Sequence, residues 1–267
     1  MKFFYFLVVL FLGLWLAGCG TETPTSDDGP DEGGGGPIFD TTPPVLMNLG
    51  ISIEGYTTSC ATGNIVGCFG DFSYRDDYMS YDPLLLEFGR VSGHILPTLE
   101  YRADVNAVII SPVDGYVHYV EYKADTDDNE LFIKINSNSV YNIVVDHVKN
   151  LQVSQGDTIT AGQALGTPGT ISFPGLGRLE IMVTRSDEKT YHCPISLLSD
   201  TVKDTYRNKI TTFMSEWETL RAVQPWGSCA APECYDPYDQ AAMVEPGCVK
   251  EKYCEEVGTG FAIECSG

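Results

Sequence analysis

Positive charge is scarce in this chain. Sixteen Lys and Arg stand against 37 Asp and Glu in 267 residues, a net charge of −21. Such a surface is repelled by nucleic-acid phosphates and anionic lipid head groups, so nucleic acid is not expected as a partner. Long apolar runs are also lacking. The one at the amino terminus, Phe3 to Leu16, falls short of the ~20 residues that a membrane-spanning helix needs. Tight C-x-x-C pairs are missing among Cys229, Cys234, Cys248 and Cys254, which argues against a zinc ribbon. Between Val105 and Val183 no run is long enough for a helix, only β-branched and aromatic runs broken by Gly, Pro and Asp. At 43% hydrophobic residues the chain can still bury a proper core, and one domain with extensions is expected.

The extensions come first. Lys2, the apolar run and the ending Leu16-Ala17-Gly18-Cys19 make residues 1–18 a signal segment. That ending resembles the lipobox of bacterial lipoproteins. The resemblance implies acylation of Cys19 and export to a membrane of the cell envelope, with Gly20 after the cysteine favouring the outer membrane or periplasmic face. Residues 19–44, acidic and Gly-rich, cannot bury enough surface to order themselves and form a tether. Residues 45–92 carry no catalytic pattern and are expected to form an added edge or cover for the core. Without Cys19, eight cysteines remain, an even count that suggests disulfides in an exported chain; Cys60 and Cys68 are the expected local pair.

Residues 93–198 hold the organising stretch. Val153, Ile159 and Leu165 recur every six residues, with Gly156-Asp157 and Gly162-Gln163 between them as turns, so the chain doubles back on itself in short strands. The SPVDGYV turn, the V-x-x-G-D-x-I-x-A-G-Q-x-L-G passage from Val153, and the strand GRLEIMV together resemble the lysostaphin-type (LytM-type) zinc endopeptidases that cut peptidoglycan cross-bridges. The resemblance implies a mostly β fold, a flattened antiparallel barrel or sandwich of short strands, and a zinc site in its groove.

The chemistry departs from that pattern. Where the family has a His and an Asp as ligands, this chain offers His94 at a wider spacing and Glu100, with Asp104 in competition. Glu100 can bind zinc through oxygen as Asp does. His147 falls where the family has a strand-end His that polarises water or steadies the oxyanion. On the last strand the family carries H-x-H, two imidazoles on one face. Here Arg178 stands at the general base and Glu180 at the ligand. A guanidinium stays charged at any working pH and takes no proton from water. Loss of the base alone costs on the order of 10²–10⁴ in rate. The metal set that the resemblance leaves is therefore His94, Glu100 and Glu180, with His147 the nearby base; no cofactor is expected, zinc being the metal such a set admits. His118 and His192 look structural, and Asp125, Asp127 and Asn129 fit a solvated hairpin better than a calcium loop.

Beyond Pro194, the residues Val202, Tyr206, Ile210, Phe213, Trp217 and Leu220 step by four and three, the apolar stripe of an amphipathic helix over 199–223 with Ser199 or Asp200 as its cap. Residues 224–267 are a disulfide-rich appendage too poor in apolar residues for a core of their own. Three functions are open. The first is a non-catalytic, lipid-anchored envelope protein that binds cell wall or an envelope partner, or regulates wall hydrolases. The second is an active zinc endopeptidase with altered ligands. The third is a lipoyl- or adaptor-type barrel-sandwich module, which would need an exposed hairpin lysine or long flanking helices.

Overall fold

The computed structural model describes residues 38–78, 84–86, 88, 90–91 and 95–223, and the short segments 243–245, 248–249 and 262–264. The elements in chain order begin with β1 (Ile53–Thr57), β2 (Ile65–Gly70), β3 (Ser73–Arg75), β4 (Leu85–Leu86), β5 (Arg90–Val91), β6 (Ile95–Leu96) and β7 (Leu99–Asp104). Next come β8 (Ile109–Ile110), β9 (Gly115–Lys123), β10 (Asp128–Lys134), β11 (Tyr141–Lys149), β12 (Thr158–Ile159), β13 (Ala164–Thr170), β14 (Leu176–Arg185) and β15 (Thr190–His192). The helix α1 (Asp200–Val223) and the strands β16 (Met243–Glu245), β17 (Cys248–Val249) and β18 (Ala262–Glu264) complete the chain. Among the described residues no helix is long and apolar enough to cross a membrane.

The strands pair antiparallel, apart from β15 with β18. They run in the order β12-β9-β10-β11-β13-β14-β15-β18, a path with two ends that does not close into a barrel. The hub is β14. Its first half pairs with β7 from Leu176↔Asp104 to Ile181↔Leu99, and its second half pairs with β15. Its other edge takes β13 and then β11. Period two sorts the side chains: Leu99, Tyr101 and Ala103 of β7 and Leu179, Ile181 and Val183 of β14 are buried in the core. Glu100, Arg102, Arg178 and Glu180 take the alternate positions.

The helix forms where its apolar stripe indicates. Ser199 caps it, its Oγ accepting from the N–H of Thr201 at 3.3 Å, and Asp200 favours the positive end of the dipole. Ile210, Phe213 and Trp217 are buried, with Val202, Tyr206 and Leu220 packed against the same cluster. The three-stranded sheet β1-β2-β3 meets this face through rings: Phe213 lies 4.6 Å from Phe69 and 5.1 Å from Phe72, and Trp217 lies 5.2 Å from Tyr74, all edge-on. Such pairs add about 0.5–1.5 kcal/mol each beyond their buried area. Cys60 and Cys68 form the expected disulfide across β2. Cys193 is disulfide-bonded as well.

Candidate functional site

The polar face of the hub carries two rows of charge. Register sets Glu100 opposite Glu180 and Glu180 opposite Asp146, a row of three carboxylates across β7, β14 and β11. One step along, Arg102 faces Arg178. Like charges directly opposed on a sheet repel, so the arrangement persists only through contacts between the rows. Arg178 makes most of them: its Nη2 donates to Glu180 Oε1, and its Nε lies 2.6 Å from Glu100 Oε1. That is close enough for an ion pair, although the Nε–H is not aimed at the oxygen. Arg102 Nη1 also donates to Glu100. Glu100 and Glu180 are both buried.

The row ends at a kink. Strand β11 pairs with β14 as far as Asp146 and then with β13 from Val148. On its other edge the register with β10 slips, leaving Asp146 and His147 as the bulge. His147 absorbs the change with a left-handed backbone, φ 61°. Its imidazole thereby turns inward to 7% exposure, with Nδ1 2.9 Å from Asp128 Oδ2. Asp128 is itself buried and also accepts from Thr126 Oγ1. Gly169 makes the room: a Cβ there would fall 2.6 Å from Asp128 Oδ2 and 3.0 Å from His147 Cβ. His147 Nε2 points the other way, to Glu180 Oε1 at 3.5 Å and Asp146 Oδ2 at 3.7 Å.

Electrostatics follow from these neighbours. Burial disfavours the charged His147, but Glu180, Asp146 and Asp128 outweigh it and raise its pKa. For Glu180 burial pushes upward, and His147, Arg178 and Arg102 together bring the pKa below its ordinary value. Asp146 is raised, because burial and the nearby Glu130 and Glu180 exceed the help from His147.

Glu100, Arg178, Glu180 and His147 are thus brought together, while His94 and Cys19 lie outside the described residues. Of the donor set implied by the sequence resemblance, the two described carboxylates, Glu100 and Glu180, are both bound by Arg178, and a cation between them would lie against a permanent like charge. Asp104 takes no part, accepting instead from Ser73 Oγ and the N–H of Asn106. His118 contacts Tyr116, and His192 contacts Thr190 and Tyr141. Asp127 sits in the β9–β10 hairpin, held by Tyr122 and Lys149. Sequence reasoning missed Asp128, Asp146 and Arg102. Arg102 had a signal in strand period, since it shares a face with Glu100, whereas Asp146 meets Glu180 only through the register of β11 with β14. Asp128 had none among the polar residues of its hairpin. Asp128, Asp146 and His147 also bring ligand atoms within 4.8 Å of one another.

No family model and no curated protein matches the chain. Solved structures do match in part. The antimicrobial peptidase lysostaphin from Staphylococcus simulans is 16% identical over 37% of this chain and 41% of that one, with a TM-score of 0.32. Csd3 of Helicobacter pylori is 18% identical over 53% of this chain and 41% of that one, TM-score 0.35. A zinc-containing peptidase from Vibrio cholerae is 23% identical over 40% and 32%, TM-score 0.30. The chain spans less than half the length of each of these three.

Proposed function

We propose that this chain is an exported lipoprotein of the bacterial cell envelope, anchored through Cys19, whose β-domain is of the peptidoglycan-endopeptidase type but recognises wall peptide or an envelope partner without cutting it. One observation carries the non-catalytic part: Arg178, a permanent cation, holds both Glu100 and Glu180. The proton acceptor that hydrolysis needs at that position is gone, and the two carboxylates are neutralised. His147 does not replace it as a free base, because carboxylates on both sides favour its protonated form.

The test uses the oxidised full chain with purified peptidoglycan sacculi and added zinc. Co-sedimentation with the sacculi and no release of cross-linked fragments above the protein-free control are expected. Stoichiometric zinc together with cross-link cleavage would overturn this reading. It would favour an active metallo-endopeptidase with altered ligands, which the ligand atoms of Asp128, Asp146 and His147 support.

A further inference from the structure

Cys193 is bonded to another cysteine, and the bond between Cys60 and Cys68 does not account for it. Cys229, Cys234, Cys248, Cys254 and Cys265 follow it in the chain. The setting of Cys193 is selective. It comes directly after β15, is 1% exposed and belongs to the hydrophobic core. A disulfide needs its two Cα atoms about 4.4–6.8 Å apart, so the fold itself must deliver the second sulfur to this enclosed place.

Strand register delivers one. β15 and β18 run parallel, pairing Thr190 with Ala262, Tyr191 with Ile263 and His192 with Glu264. The next residue on each strand is a cysteine, Cys193 on one and Cys265 on the other. Paired strands lie about 4.7–4.9 Å apart and residues opposite one another share a face, so one further step of this ladder brings the two cysteines to disulfide distance. The other candidates have no such register. Cys248 belongs to β17, which pairs with β16 in a separate two-stranded sheet, and Cys229, Cys234 and Cys254 fall well before β18 in the chain.

We propose that Cys193 and Cys265 form a disulfide that fastens the carboxy-terminal strand β18 to the edge of the main sheet. The bond arises by exchange with a disulfide-bearing oxidant: one S–S bond forms, the oxidant's S–S bond breaks, and the two protons pass to the thiols so released. It matters because β18 pairs with β15 through three residues, too short a ladder to hold by hydrogen bonds alone. Fastened there, β18 covers backbone N–H and C=O groups of β15 that would otherwise invite another chain. The bond also closes a loop of roughly 70 residues with α1 inside it, which restricts the unfolded chain. The linkage holds whether the groove recognises wall peptide or cuts it.

The test is a peptide map of the oxidised full chain, alkylated and digested without reductant by trypsin and a glutamyl endopeptidase, and read by mass spectrometry. Cleavage after Lys189 and Lys203 isolates Cys193, and cleavage after Glu256 separates Cys254 from Cys265. A linked pair of the two peptides that carry Cys193 and Cys265, lost on reduction, is expected. Linkage of Cys193 to any other cysteine, or its recovery as a free alkylated thiol, overturns the proposal. Cys265→Ser tests the fastening, with circular dichroism as a check on folding: amide exchange across Thr190–His192 should quicken at least tenfold as the edge opens. Exchange there that matches the parent overturns the fastening. If the variant does not fold, the peptide map of the parent decides alone.

Discussion

The two faces of β7 and β14 are built from alternate residues of the same strands and obey different rules. On one face Tyr101, Leu99, Leu179 and Ile181 lie in a core that continues through Phe72 and Phe213 to the helix. On the other, Glu100 and Glu180 are buried beneath the partly exposed Arg102 and Arg178, and the four stay together by charge balance. The apolar face is stabilised by area and shape, which many sequences satisfy. The polar face depends on a count of charges, which a single substitution upsets.

The sharpest comparison sets one residue from each face against the other. Phe213→Ala removes a fully buried ring with edge-on partners on two sides and should cost about 3–5 kcal/mol in urea unfolding. Arg178→Ala leaves Glu100 and Glu180 to Arg102 and His147 and should cost about 2–3 kcal/mol, less than breaking a fully buried pair because the Arg178 side chain is 34% exposed. An Arg178→Ala chain as stable as the parent would mean that the guanidinium is not what holds the row together.

The smallest expected effect is one of pH on the metal-free chain. A raised His147 stabilises the fold fully below its ordinary value of 6.5, and that contribution is lost as pH rises through the higher folded value. A lowered Glu180 contributes above its ordinary 4.5 and is lost on acidification, while a raised Asp146 is relieved by it. Stability should therefore peak between about pH 5 and 6.5 and decline toward pH 8. Thermal melts flat from pH 6 to 8 would show that His147 does not titrate with folding.

Much of the apolar face is legible in the sequence. Ile210, Phe213 and Trp217 announce themselves by helical spacing, and the Gly-Asp and Gly-Gln punctuation marks short strands, because burial imposes a period on the sequence. The polar face imposes none. Arg178 and Glu180 could be placed by period two on a single strand, but that Arg178 reaches Glu100 depends on the register with β7, a pairing between segments some 75 positions apart. Asp128 is one acid in Thr126-Asp127-Asp128-Asn129, chemically like its neighbour. Only the bulge in β11 selects it and leaves Asp127 in solvent. Between the barrel and the sandwich that the sequence left open, the open path of strands decides, a choice the sequence does not carry because short antiparallel strands look alike whether or not the last one meets the first.

The left-handed backbone at residue 147 also limits how this position can drift over generations. Val, Ile or Thr would meet steric penalties there whatever their chemistry, whereas Asn, Asp or Gly could enter without disturbing the kink. The ring could therefore disappear from a descendant while the surrounding sheet survives intact, so the scaffold can outlast whatever task the imidazole performs.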